Sequence, residues 1–377
     1  MKKSALAALV SVLFVVFSTP AAQAKESSAV SVHSKKNTAE KTIVAKKTVV
    51  AKKRTIGKKT TLARKATTVK KAAVAKKTAK AASPLAANNS RVKKIQAVTS
   101  VVPEKLTVGD MAGLHQTQDP LDLKSSVALV IDQTTSQVLF EKNSRVSLPM
   151  ASITKLMTSL VVLDARQDMN ETLEVTSGDI DREKNSPSRL RVGAQLSRSD
   201  MLHIALMSSE NRAASALGRS YPGGLPAFVR HMNEKARALG MTDTRYVDST
   251  GLSSQNVASA RDLAKLVNAA YQYPLIRQYS TDAKYVVEPG GHALQYSTSN
   301  RLVASPDWEI GLQKTGYISE AGRCLVMQAR IDGRPVVMVF LDSKGKQSRL
   351  GDASRVRKWL ETAQQPILGA HVVAQKS

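Results

Sequence analysis

From about Val101 onward the sequence predicts an α+β domain. Three features carry that reading: two strand-like runs at its start, amphipathic helices through its middle, and a hairpin with a closing helix at its end. Val127-Ala128-Leu129-Val130-Ile131-Asp132 is a continuous apolar run, the pattern of a buried strand. Thr134-Thr135-Ser136 turns the chain, and Gln137 to Glu141 reads as a second strand. Ser152 to about Ala165 is helical, with Ile153, Leu156, Met157, Leu160, Val161 and Leu163 apolar. Ser199 to Met207 is a second helix, broken by Ser208-Ser209, and Asp262 to Tyr271 a third. Near the end, Arg323–Arg330 and Pro335–Asp342 flank Asp332-Gly333, a dipeptide suited to the positive φ of a two-residue hairpin turn. A last helix over about Asp352 to Thr362 carries Val356, Trp359 and Leu360. The remaining tail, to Ser377, is too short for another domain.

The first hundred residues have a different character. Residues 1–24 read as a secretory signal peptide. Lys2 and Lys3 supply the positive start, Ala5 to Phe17 the apolar stretch, and Ala22-Gln23-Ala24 the small-x-small cleavage site. The apolar stretch is short for a membrane span. Once it is removed, no segment is apolar enough to cross a bilayer, which places the mature protein in the periplasm.

Residues 25–102 form a basic Ala/Lys-rich segment. The chain carries a formal net charge of +26, and 21 Lys and Arg against 2 Glu between Lys25 and Ser100 account for +19 of it. With no aromatic residue and almost no large hydrophobe, this stretch cannot offset its ordering entropy, so disorder is expected. As a flexible coil its ends would lie on the order of 50 Å apart. Such composition suits nucleic acid, but export argues against that partner. Anionic cell-wall carboxylates and lipid phosphates are the polyanions outside the cytoplasm; a solvated tether without a partner is the alternative.

Cys324 is the one cysteine, which excludes an internal disulfide and a cysteine-based zinc cluster. It lies in Cys324-Leu325-Val326-Met327 and reads as a small buried hydrophobe. The 6 His residues show no metal-binding spacing, so neither a metal nor a cofactor is implied.

Three short motifs carry chemistry. Ser152-Ile153-Thr154-Lys155 opens an apolar helix, and residues three apart share a helix face, so the Lys155 amine can reach the Ser152 hydroxyl. Serine needs a base to act as a nucleophile. A lysine can serve if burial and a neighbouring positive charge lower its pKa, and a helix N-terminus favours the alkoxide. Ser209-Glu210-Asn211 comes just after a helix; its hydroxyl can relay a proton, and its amide can hold substrate backbone and the Lys155 head group. Lys314-Thr315-Gly316 offers a positive field, a hydroxyl for a carboxylate, and close backbone approach. Taken singly each is common. Ser90-Arg91-Val92-Lys93 and Ser343-Lys344-Gly345-Lys346 repeat the first spacing, and Ser254-Gln255-Asn256 repeats the second.

Their order is what is specific: Ser209 lies about 57 residues after Ser152, and Lys314 about 105 after Ser209. The set matches that of penicillin-binding proteins and class A β-lactamases. From about Leu121 to Leu360 the chain resembles low-molecular-mass penicillin-binding proteins, the D-alanyl-D-alanine peptidases. Leu148 to Thr158 fits their nucleophile segment, and Met207 to Ala214 is similar to the endopeptidase branch, penicillin-binding protein 7. Asp248-Ser249-Thr250-Gly251-Leu252, Ser259-Ala260-Arg261-Asp262-Leu263 and Glu320-Ala321-Gly322-Arg323-Cys324 also match.

The resemblance implies an antiparallel sheet with helices on its faces plus a helical subdomain, a β-lactamase/D,D-peptidase-like fold over residues 103–365, with a tail at 366–377. It implies that Ser152 attacks a D-Ala carbonyl while Lys155 takes its proton, and that Ser209 protonates the leaving amine. Asn211 would orient substrate, Lys314 and Thr315 would hold the acyl donor or a drug carboxylate, and Gly316 would admit its backbone. Backbone N–H groups of Ser152 and Tyr317 would form the oxyanion hole, a single such donor being worth about 2.7–4 kcal/mol. Peptidoglycan peptides and β-lactam antibiotics are the implied ligands.

Hydrolysis of D-alanyl cross-links comes first among the activities, and D-alanyl-D-alanine carboxypeptidase second, since both use the same residues. The carboxypeptidase branch often adds a β-rich domain and an amphipathic anchor, for which too few residues remain after Trp359. A β-lactamase would need a second base; Glu171 and Glu174 lie between the motifs, but not in an E-x-x-L-N setting. A penicillin-binding sensor and a wall- or nucleic-acid-binding protein acting through its basic segment are the readings from other classes.

Overall fold

The computed structural model describes residues 105–363. The expected signal peptide, basic segment and C-terminal tail, and the copy at Ser90–Lys93, lie outside them. In chain order the elements are α1 (Val108–Met111), β1 (Ser125–Asp132), β2 (Val138–Lys142), β3 (Leu148–Pro149), α2 (Thr154–Asp164), β4 (Thr172–Glu174), β5 (Gln195–Ser197), α3 (Arg198–Met207), α4 (Asn211–Arg219) and α5 (Gly224–Ala238). Next come β6 (Val257–Ala258), α6 (Ala260–Tyr271), α7 (Pro274–Thr281), β7 (Lys284–Val287), β8 (Leu294–Ser297), β9 (Glu309–Ile318), β10 (Gly322–Ile331), β11 (Arg334–Ser343) and α8 (Ser348–Ala363).

Five strands form one antiparallel sheet in the order β2-β1-β11-β10-β9. Every residue of β1 is buried, because both faces of the sheet are covered. On one face Ala128, Val130, Met327, Met338 and Phe340 pack with Val356 and Leu360 of α8. On the other, Leu129, Val326, Val337 and Val339 join the core of the helical subdomain. The α+β reading and its layers are those of the sequence. One difference concerns extent: the closing helix begins at Ser348, a turn before the expected Asp352. Strand β9 starts at Glu309 and carries Lys314-Thr315-Gly316 within it.

Asp352 shows why α8 seats firmly. It is fully buried, and its carboxylate accepts from the N–H of Lys124 at 3.0 Å, from the N–H of Ser125 at 2.9 Å and from the Ser125 hydroxyl at 2.6 Å. The start of the interior strand β1 is thereby tied to the last helix.

Helix α2 runs through the helical subdomain, buried from Thr154 to Val162. A helix buried on all sides lacks a polar stripe, so even its lysine is inside. The sheet ends on β9, whose outer edge faces the start of this helix. The hairpin turn at Asp332-Gly333 has positive φ at both residues, 47° and 77°, as a two-residue turn requires. Among the described residues no helix is long and apolar enough to cross a membrane. Cys324 is buried, and burial pushes its thiol up to about 12, so it packs as a hydrophobe.

Candidate active site

The chain approaches α2 through a short 3₁₀ turn, Ala151–Ile153, which places Ser152 half-buried at the mouth of the helix. Ala151 holds a left-handed φ of 49°, a conformation that costs a non-glycine residue about 1–3 kcal/mol. Its neighbours compel it. Met150 donates its N–H to the Asn256 carbonyl at 3.0 Å, and the Thr154 hydroxyl donates to the Ala151 carbonyl at 2.8 Å.

Lys155 is wholly buried, and its amine meets three oxygens. They are the Ser152 hydroxyl at 2.9 Å, the Asn211 side-chain carbonyl at 2.8 Å and the Thr250 backbone carbonyl at 2.6 Å. None is a carboxylate. Burial lowers its pKa to about 7, while the charges of Asp248 and Glu210 act against that. The positive neighbour expected beside Lys155 is therefore not what lowers it. That effect appears at Lys314, which burial, the charge of Lys155 and the charge of Arg349 together push well below the ordinary lysine range. Two of the Lys155 contacts are carbonyls, which can only accept, so a neutral amine turns both its hydrogens to them. Its lone pair then faces the Ser152 O–H.

Ser209 has a left-handed φ of 67° between α3 and α4. The kink ends one helix and starts the next at Asn211. Lys314 donates to the Ser209 hydroxyl at 2.9 Å and to its neighbouring Thr315 carbonyl at 2.9 Å. The Thr315 hydroxyl lies 2.6 Å from that of Ser299. A Cβ on Gly316 would stand 3.1 Å from the Ser152 nitrogen and 3.0 Å from the Met150 carbonyl oxygen, so a side chain here would crowd β9 against the Ser152 turn. Tyr317 is 56 % exposed on that edge, with the Arg323 guanidinium 4.5 Å over its ring.

Ser152, Lys155, Ser209, Asn211, Lys314, Thr315 and Gly316 thus share one cleft, and Tyr317 continues its β9 wall. The lookalikes are placed elsewhere. Ser343 ends β11, and Lys344 pairs with Asp110 at 2.6 Å. Asn256 is buried scaffold: its amide donates to Thr154 and to the Asp248 carbonyl, both at 3.1 Å.

Several participants escape a motif search. Thr250 contributes a backbone carbonyl, which has no residue signature. Asp248 delivers it, accepting from the N–H groups of Thr250 at 2.5 Å, Gly251 at 2.6 Å and Ser253 at 3.0 Å. Its segment was visible only through the resemblance. Ser186 accepts from Asn211 at 2.9 Å, and Ser299 is likewise an isolated serine without sequence context. Arg349 is buried with Nε and Nη1 unpartnered. Among the described residues no cluster of His, Cys, Asp or Glu could hold a metal ion.

Residues 114–345 match the profile of the peptidase family described as D-alanyl-D-alanine carboxypeptidase. The chain belongs to this family. It is 47% identical over 267 residues to the D-alanyl-D-alanine endopeptidase of Pseudomonas aeruginosa, a match covering 70% of this chain and 85% of that one. To the D-alanyl-D-alanine endopeptidase of Escherichia coli it is 45% identical over 243 residues, covering 64% and 78%. Among solved structures, the cefotaxime-bound penicillin-binding protein D2 of Listeria monocytogenes superposes with a TM-score of 0.57 at 26% identity, covering 64% of this chain and 98% of that one. The D-alanyl-D-alanine carboxypeptidase of Mycobacterium tuberculosis gives 0.59 at 25%, covering 67% and 95%.

The Ser152 turn depends on Gly251. A Cβ there would fall 2.0 Å from the Ala151 carbonyl oxygen, at a φ of +81°. Gly251→Ala is therefore expected to slow acylation by benzylpenicillin by about 100-fold, as displacement of a reacting group by about 1 Å does. Stopped-flow labelling checks this, and wild-type rates in the variant would refute the dependence.

Proposed function

We propose that this protein is a serine D,D-endopeptidase that hydrolyses D-alanyl cross-links of peptidoglycan through an acyl-enzyme, and that penicillins acylate the same serine. The observation that carries the reading is the buried Lys155 amine, 2.9 Å from the Ser152 hydroxyl with a pKa near 7. The family membership and the two endopeptidase relatives support the substrate class and the branch.

In this reading Lys155 accepts the Ser152 proton as the Oγ–C bond to the D-alanyl carbonyl forms. The oxyanion is held by the N–H groups of Ser152 and Tyr317. The Ser209 hydroxyl then gives its proton to the leaving nitrogen as the C–N bond breaks and recovers one from Lys314, 2.9 Å away, the lysine pair thereby giving up the proton that Lys155 took. Asn211 positions the acyl chain; Lys314, Thr315 and Gly316 shape the β9 wall against which it lies. Water cleaves the ester and restores the serine. The catalytic domain would span residues 103–365, between an exported, basic segment and a short tail. Its setting would be the periplasm.

The closeness of Ser152 and Lys155 makes covalent labelling the direct test. Fluorescent penicillin is expected to label the protein from Lys25 onward and not its Ser152→Ala variant. Muropeptide analysis then distinguishes cross-link cleavage from release of terminal D-Ala. An unlabelled, folded wild type would contradict the reading, and a label lost within seconds would point to a β-lactamase.

Only the neutral amine can take the serine proton, so the lowered Lys155 pKa sets a sign. Below about pH 7 the acylation rate constant should fall about tenfold per pH unit as the amine protonates, and above it the rate should level. A profile flat from pH 5 to 9 would exclude Lys155 as the base.

For the basic segment, +19 of charge favours attachment to the anionic wall or envelope surface. Removal of residues 25–102 is expected to abolish salt-sensitive co-sedimentation with purified sacculi while penicillin labelling persists. Equal co-sedimentation without the segment would reduce it to a tether.

A further inference from the structure

Ser209 and Asn211 also line a cavity of about 330 Å³, whose wall Ser188, Arg189, Glu210 and Tyr296 complete. Its one carboxylate is already occupied. Glu210 accepts from the Ser188 hydroxyl at 2.6 Å, from the Arg212 N–H at 3.3 Å and from the Tyr296 hydroxyl at 3.3 Å.

Its one guanidinium is not. Arg189 is exposed and lies 3.8 Å over the Tyr296 ring, with a single N–H given to the Gln295 carbonyl at 2.5 Å. Among the described residues no carboxylate pairs with it. A guanidinium held over an aromatic ring is a preorganised fork for a planar oxyanion. The loop that carries it is fixed to the start of α4. Ser186 accepts from Asn211 at 2.9 Å, and the Asp181 carboxylate caps the N–H groups of Glu183 at 2.9 Å, Lys184 at 2.9 Å and Ser186 at 2.8 Å.

We infer that this cavity receives the leaving strand of a cross-linked substrate and that Arg189 binds a carboxylate of that strand. The inference rests on the endopeptidase reading and deepens it. In that reading the Ser209 hydroxyl meets the leaving nitrogen, so whatever is attached to that nitrogen runs on past Ser209. A carboxypeptidase releases one amino acid. An endopeptidase releases a peptide, with further carboxylates beyond the one beside the scissile amide. Only the larger leaving group extends to Arg189, which makes this arginine a specificity-determining residue.

The test compares two reactions of the protein from Lys25 onward: cleavage of a purified cross-linked muropeptide dimer, and acylation by benzylpenicillin, which has no leaving strand. Arg189→Ala is expected to lower the ratio of dimer cleavage to acylation, each as a second-order constant, by about tenfold, the loss of one charge-assisted contact. A disturbance of Glu210 or Asn211 through Tyr296 would slow both reactions and leave the ratio alone.

Amidating the leaving-strand carboxylates distal to the scissile bond should lower wild-type cleavage by a similar factor and Arg189→Ala cleavage no further. Arg189→Lys should restore part of the ratio. An unchanged ratio, or losses that multiply, would overturn the inference and leave Arg189 a tether for the β7–β8 hairpin. A wild type that takes the penicillin label but cleaves no dimer would overturn the endopeptidase reading instead, and the inference with it.

Discussion

The rest of the site is built around one constraint: a lysine amine buried without a counter-ion in contact. Water would stabilise an ammonium far better than three dipolar oxygens can. The protein eases the conflict by weakening the hold of the amine on its proton, so that near pH 7 about half of it is neutral. A fall from 10.5 to about 7 corresponds to on the order of 5 kcal/mol against the charged form. A carboxylate in contact would restore the charge and remove the base. Asp248 and Glu210 act on Lys155 in that direction but do not bond to it; their oxygens are taken by backbone N–H groups and hydroxyls. These acids hold loops and helix starts in place, and their engagement elsewhere lets the amine stay close to neutral at working pH.

The same constraint explains where strain is tolerated. The amine needs its acceptors within hydrogen-bond distance, and they come from three separate parts of the chain: the Ser152 turn, the start of α4 and the loop at Thr250. Bringing them together requires left-handed backbone at Ala151 and Ser209, two of the non-glycine residues with positive φ. Each such residue is held by what surrounds it. Gly251 and Gly316 remove the Cβ atoms that would otherwise force the walls apart. Lys314 is subject to the same logic one step away. Two ammonium groups buried side by side disfavour each other, so the pair shares its protons rather than holding two full charges.

Much of this was legible in the sequence, for identifiable reasons. The sheet was readable because β1 and β11 are buried on both faces, so Val127–Ile131 and Val336–Leu341 are apolar runs with turn residues around them. Helix α2 was readable because nearly every position in it is buried. Helices α4, α5 and α7 give no clear signal in the sequence: α4 is only 9 residues long and α5 opens Gly-Leu-Pro, which weakens the periodic pattern. In the site, the side chains at motif spacing are those the structure brings together. Those acting through backbone, as Thr250 does, or through a serine without context, as Ser186 and Ser299 do, have no motif to mark them. Ser254-Gln255-Asn256 shows the converse. It has the catalytic spacing, yet Asn256 is fully buried and braces the segment that the true cleft leans on. Spacing alone could not separate the two; burial and hydrogen-bond partners do.

The chemistry of the cleft and the choice of substrate are separable in this architecture. In the proposed mechanism Ser152, Lys155, Ser209, Lys314 and Thr315 meet only the acyl carbonyl, the scissile nitrogen and the group beside it, and these are alike in a terminal D-Ala and in a D-alanyl cross-link. Nothing in their geometry can favour one over the other. Discrimination must therefore lie where the two substrates first differ, beyond the leaving nitrogen. The loop proposed to face that side, Asp181 to Leu190, is irregular rather than a motif strand; it is stiffened by its own Asp181 cap and locked to Asn211 and Glu210. A loop can vary in length and charge without disturbing α2 or β9, because its ties to the cleft run through side chains rather than through the sheet. The division lets one acylating apparatus serve substrates that differ only in what departs.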